Sequence, residues 1–218
     1  MELLAEIRLC RLAMNAMVAV LSVQLAHAGP ALADTIDLAN TVAHWPAGFD
    51  LRGSKTEPTW VEYVRVVRHG DLFVLEGGGL YGAEQTVEAV LVSSGGRIMH
   101  VACPPIMDCS SGAPLSGFLA VAELVGLARR GELSGSIAAI PFGDRVVFCL
   151  PAERLGVVEP ILDPCFDVAT GAVLAQRART DHSFTGPTLD VGTLRFVNPP
   201  EAPPINASNV SLNLKGLP

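Results

Sequence analysis

Apolar residues recur along this chain with two different spacings, and the change falls near Ser116. Before it, short runs rich in β-branched and aromatic residues alternate with turn-forming glycines. Residues 59–68, the turn His69-Gly70-Asp71 and residues 72–75 form two apolar runs joined by a short Gly-containing link, the signature of a hairpin. Gly77-Gly78-Gly79 breaks the pattern, a further strand is predicted from Glu84 to Ser93, with a helical turn over 84–89 as the alternative start, and residues 97–102 return after Ser93-Ser94-Gly95-Gly96. Strand-like segments punctuated about every ten residues predict an antiparallel meander.

From Ser116 the period becomes helical. Phe118, Val121, Ala122 and Val125 recur at i, i+3, i+4 and i+7, and Leu119, Leu124 and Leu127 widen the stripe. A helix over 116–130, buried on more than one side, is predicted. Ser116 is its expected N-cap, Arg129 and Arg130 suit its last turn, and Gly131 is its expected C′ residue.

Beyond the helix, 136–141 and 145–150 flank Phe142-Gly143-Asp144 as a second hairpin. Residues 151–156 suit one helical turn, 157–164 are extended, 172–177 are ambiguous, and 194–197 read as a last core strand. Pro199, Pro200, Pro203 and Pro204 mark a linker or loosely docked tail, within which 209–214 alternate and suit an edge strand. Ahead of the first hairpin, 34–58 mix signals: 35–42 suit a short helix, whereas Trp45-Pro46-Ala47-Gly48 and Arg52-Gly53-Ser54 carry turn chemistry. An irregular lead-in is expected there, with Trp45 and Phe49 anchored in the core. The fold class is therefore mainly β with one buried helix (α+β), built of antiparallel meanders and hairpins. A domain over 59–197 lies between that lead-in and a tail over 198–218.

The N-terminus changes the picture. Arg8 and Arg11 precede an apolar core over 16–26, and small-x-small patterns follow at Ala26-His27-Ala28 and Ala31-Leu32-Ala33. This is the layout of a secretory signal. The apolar run falls short of the ~20 residues a span requires and ends at Gly29-Pro30. Residues 1–33 are expected to be a cleaved leader, removed after Ala28 or Ala33. A periplasmic or secreted protein with no permanent membrane span follows. Cys10 precedes the apolar core, so it is not positioned for lipidation.

Composition narrows the partners. Half of the 218 residues are hydrophobic and 17 % are charged, below the usual roughly 25 %. With a net charge of −7 and no Lys/Arg run, the chain lacks the footprint of a nucleic-acid binder. Without the leader, Cys103, Cys109, Cys149 and Cys165 remain. In an exported chain an even count points to disulfides, with three pairings open. Cys103–Cys109 with Cys149–Cys165 has the shortest loops, and closing a loop of about 15 residues contributes ~3 kcal/mol.

Reactive residue types concentrate in 98–110. His100, Cys103, Met107 and Cys109 are a soft ligand set for copper or zinc, but no C-x2-C spacing is present. Ser110 or Ser111 with His100 and Asp108 would supply a nucleophile, base and orienting carboxylate, with His69, His182, Asp71 and Asp181 as further members. No G-x-S-x-G elbow accompanies them. The Ser94-Gly95-Gly96 turn after an apolar strand resembles exported proteases with a crotonase-like core. Their nucleophile lies much farther past the glycines than Ser110, so no family is assigned on that turn. The Gly77–Gly79 run lacks the lysine of a phosphate cradle, and Glu57, Glu62, Glu76, Glu84 and Glu88 are too scattered for a paired-carboxylate site. Pro104-Pro105 between two cysteines is best explained as a stapled strand-to-helix joint. No cofactor is implied. The expectation is a non-catalytic exported protein that binds or supports another protein or envelope component; the alternatives are an exported serine hydrolase and a periplasmic metal-binding protein.

Overall fold

The computed structural model describes residues 34–56, 59, 61–78, 86–94, 97–103, 117–155, 162–185, 189–198 and 211–212, with the backbone alone for 86–94, 97–103, 185 and 211–212. The predicted first hairpin is present. Strands β3 (Val61–His69) and β4 (Leu72–Gly78) pair in antiparallel register from His69↔Leu72 to Tyr63↔Gly78. Gly70 takes φ +61° and Asp71 a negative φ, the sign pattern of the type II′ turn that matches strand twist. Strands β5 (Thr86–Ser94) and β6 (Arg97–Cys103) continue the meander.

The lead-in departs from the irregular segment expected for 34–58. After a short strand β1 (Thr35–Asp37), the expected short helix runs Leu38–Ala43, capped by the Asp37 carboxylate on the Asn40 N–H. Then Gly48–Thr56 forms a nine-residue strand, β2, paired along its length with β3. The Arg52-Gly53-Ser54 stretch that suggested a turn is strand, because Gly53 makes room for Leu189 and Leu194 rather than bending the chain. Trp45 and Phe49 are core residues, as expected.

The larger sheet has seven strands in the order β13-β2-β3-β4-β5-β6-β14, with β13 at Arg195–Phe196 and β14 at Ser211–Leu212. β13 is a two-residue edge strand with Arg195 exposed, not the core strand read for 194–197. β14 lies on the opposite edge, within the segment expected to supply an edge strand. The smaller sheet has the order β12-β11-β10-β9-β8: β8 (Ile140–Phe142), β9 (Arg145–Cys149), β10 (Leu162–Asp167), β11 (Val173–Ala178) and β12 (Phe184–Thr185). The single strand read over 136–141 is two. β7 (Ser136–Ala138) pairs with β1, and the chain switches at Ala139 to β8. Pro141 then sits on an edge strand, where its missing N–H is tolerated. Pro164 lies in the central strand β10 but where the β9 ladder ends, with its carbonyl accepting from the Leu150 N–H.

The predicted helix is observed as a 3-10 turn, Gly117–Leu119, running into an α-helix, Ala120–Arg129. Ser116 lies outside the described residues, and the α-helical part carries no side-chain N-cap bond. Its other end is as expected. Gly131 adopts φ +70°, its N–H reaches the Ala128 carbonyl, and the Glu132 N–H reaches the Leu127 carbonyl. Those two bonds make a Schellman motif, which needs a left-handed residue at C′. The 3-10 turn touches β4 of one sheet and β11 of the other, while the α-helix lies against β5, β6 and the short turn Ala152–Leu155. One apolar cluster joins Leu51, Val66 and Phe73 of the larger sheet to Leu119 and Leu124 of the helix and to Phe148, Phe166 and Leu174 of the smaller sheet.

Cys149 on β9 and Cys165 on β10 stand directly opposite each other and form a disulfide. The crossed pairings of these two with Cys103 or Cys109 are thereby excluded. Cys109 and the side chain of Cys103 lie outside the described residues. So do residues 1–33, and no described helix is long and apolar enough to cross a membrane.

Candidate functional site

The side chains singled out in 98–110 lie outside the described residues. The backbone of His100 and Cys103 belongs to β6, but their side chains, and all of Met107, Asp108, Cys109, Ser110 and Ser111, lie outside the described set. Of the secondary candidates, His69 and His182 are exposed. The Ser183 hydroxyl donates to the Asp181 carboxylate at 2.7 Å rather than to an imidazole, and Asp71 is paired with Arg129. Among the described residues no group of three or more His, Cys, Asp or Glu is placed to hold a metal ion.

Two buried guanidiniums on β3 stand out instead. Strand alternation sends Arg65 and Arg68 to opposite faces of the sheet. On the outer face, the Arg65 Nε and Nη2 donate to the two oxygens of Asp50 at 3.0 and 2.7 Å, and Nη1 donates to Glu76 Oε2 at 3.0 Å. Arg52 also reaches Asp50, at 3.3 and 3.1 Å. The register explains the convergence, because Arg52, Arg65 and Glu76 lie opposite one another on β2, β3 and β4. Burial pushes the Asp50 carboxyl up, but its bonds to Arg65 and Arg52 outweigh that and leave its pKa below the usual carboxylate value. Its bonds to Asp50 and Glu76 raise Arg65 against the opposing effect of burial. These bonds tie β2, β3 and β4 together, so this cluster is a cross-strand clamp.

On the inner face the arrangement differs. Arg68 stands between Phe49 and Phe73 in the register. It forms part of an open cleft of ≈ 370 Å³ walled by Ala39, Val42 and Trp45 on one side and by Val125, Ala128 and Leu133 on the other. Its Nη1 is buried and has no hydrogen-bond partner. Nε makes a long contact of 3.4 Å to the Gly70 carbonyl, and the guanidinium lies 5.8 Å from the Phe73 ring centroid. Burial, and then the nearby Arg129, push its pKa below the ordinary arginine value, with Asp71 opposing. Arg129 lines the cleft beside the Arg129–Asp71 ion pair, both partners being partly exposed.

The wall carrying Trp45 is fixed by the smaller sheet. The Trp45 indole N–H donates to the Val168 carbonyl at 2.9 Å, and its ring stacks on Phe148 and Phe166. Gly171, at φ +81°, lies under that ring, and a Cβ there would come within 2.6 Å of it. The cleft thus has a rigid aromatic wall tied to β9 and β10, the strands the disulfide joins.

Other clefts are less telling. One of ≈ 340 Å³ and one of ≈ 230 Å³ flank Arg145 and Phe196. There the Arg145 guanidinium stacks 4.2 Å from the Phe196 centroid and pairs with Asp167 at 3.3 Å, so its charge is already matched. Burial raises the Asp167 pKa even though bonds from Thr170 and the charge of Arg145 oppose the shift.

Arg68 was not singled out from the sequence. The available signal was its parity: it shares a strand face with Val64 and Val66, so a cation stands in an apolar row. No family model, no curated protein and no solved structure matches the chain.

Proposed function

We propose that this is an exported protein, periplasmic or secreted, that acts by binding an envelope component rather than by catalysis, and that the cleft over Arg68 is where it binds. The observation that carries the reading is a buried arginine, Arg68, whose Nη1 has no hydrogen-bond partner, in the lining of a cleft with mostly apolar walls. Binding sites typically combine an apolar lining with a few placed polar groups, and a buried donor left unsatisfied costs about 1–3 kcal/mol unless something supplies an acceptor. Export is supported by the signal-like pattern of 1–33 and by the Cys149–Cys165 disulfide, a bond that persists in oxidising compartments.

The test has two arms. Fractionation with sequencing of the mature N-terminus should find the protein outside the cytoplasm and beginning just after Ala28 or Ala33. An intact N-terminus held in membranes would refute cleaved export. Screening the folded, disulfide-intact protein by thermal shift should find ligands that stabilise it, and labelling by a fluorophosphonate probe would instead favour the hydrolase reading.

A further inference from the structure

We propose that the cleft takes a small monoanion with an apolar body, its carboxylate anchored on the Arg68 guanidinium; this rests on the cleft being a binding site.

Arg68 is 7 % exposed, and arginine cannot shed its proton to escape burial. A buried charge persists at low cost only when paired and hydrogen-bonded. Here the described surroundings do not neutralise it. Arg68, Arg129 and Asp71 together leave one unit of positive charge, because Asp71 is engaged by Arg129 at the rim. At the nearby helix end the Leu127 and Ala128 carbonyls accept from Glu132 and Gly131 rather than from Arg68. The ring of Phe73 is a weak partner at 5.8 Å. One carboxylate meeting the part of the guanidinium that remains reachable from the cleft would supply the missing charge, and charge-assisted bonds to guanidinium are the strong kind.

The rest of the cleft selects the remainder of the ligand. Ala39, Val42, Val125, Ala128 and Leu133 offer only hydrocarbon, and Trp45 presents a ring whose N–H is already used. A volume of ≈ 370 Å³ is at the small end for ligand sites. A dianion such as phosphate would bring more charge than the single net positive charge of Arg68, Arg129 and Asp71 balances.

Isothermal titration of the folded, disulfide-intact protein with sodium octanoate, 1-octanol and inorganic phosphate tests this. Octanoate should bind at least tenfold more tightly than either of the others. Arg68→Met should weaken octanoate at least tenfold, and Ala128→Trp, which fills the cleft from the other wall, should abolish its binding even if Arg68→Met fails to fold. Octanol binding as well as octanoate would overturn the anionic anchor while leaving a binding cleft. Phosphate binding more tightly than octanoate would overturn the apolar body. Undiminished octanoate binding by Ala128→Trp would overturn the assignment to this cleft. No binding of any of the three by folded protein would overturn this proposal, while the binding reading itself is decided by the thermal-shift screen.

Discussion

Arg65 and Arg68 occupy the same strand, three residues apart, and are 6 % and 7 % exposed. Arg65 is met by the carboxylates of Asp50 and Glu76 from the neighbouring strands. Arg68 meets the Phe73 ring, a long contact to one carbonyl and a cleft. Equal burial with unequal compensation separates two roles. A matched buried ion pair holds strands in register. An unmatched cation is retained at the expense of stability, which is expected where a ligand completes the site.

The difference can be broken at either end. The largest effect is expected for Asp50→Ala, which removes a buried carboxylate bonded by both Arg65 and Arg52. Removing one partner of a buried pair costs about 3–5 kcal/mol, measurable by urea denaturation. A loss well under 1 kcal/mol would mean the clamp is not a buried pair at all. The same site sets a pH dependence. Because the folded Asp50 pKa is depressed, its stabilisation is present above its unfolded value and is lost as pH falls through the folded one. Stability should therefore decline in acid, and the slope should be shallower in Asp50→Asn.

Replacing both Cys149 and Cys165 by serine should cost about 3 kcal/mol by the loop-closure estimate. Combined with Asp50→Ala, the two losses should add to within about 0.5 kcal/mol, as for independent sites; strong non-additivity would show that the outer clamp and the smaller sheet are coupled. The smallest effect concerns the rim. The Arg129–Asp71 pair is half-exposed, so Asp71→Asn should change stability by less than about 1 kcal/mol. It should nonetheless tighten octanoate, since it removes the charge that offsets Arg129. Weaker octanoate binding in that variant would contradict the electrostatic account.

Local structure was legible where local chemistry decides it. The β3–β4 hairpin, the strand over 97–102 and the Schellman end at Gly131 follow from alternation, turn residues and helical spacing. Strand β2 was hidden because Gly53 and Ser54 carry turn chemistry that packing against Leu189 and Leu194 overrides. The cysteine pairing was narrowed to three, and only the register of β9 on β10 selects Cys149–Cys165. The two arginine sites were not legible for a related reason. Asp50, Arg65 and Glu76 meet only once three strands are aligned, and both faces of β3 carry valine beside arginine. Alternation alone therefore did not say which face is the core.

The most direct test compares unfolding free energies of Arg65→Met and Arg68→Met in one buffer without ligand. Arg65→Met should lose about 3–5 kcal/mol, because it strands buried carboxylates. Arg68→Met should be neutral or gain about 1 kcal/mol, because it exchanges an uncompensated cation for an apolar chain of similar length. A loss of several kcal/mol in Arg68→Met, matching Arg65→Met, would show that Arg68 is already satisfied in the folded protein and would contradict the account.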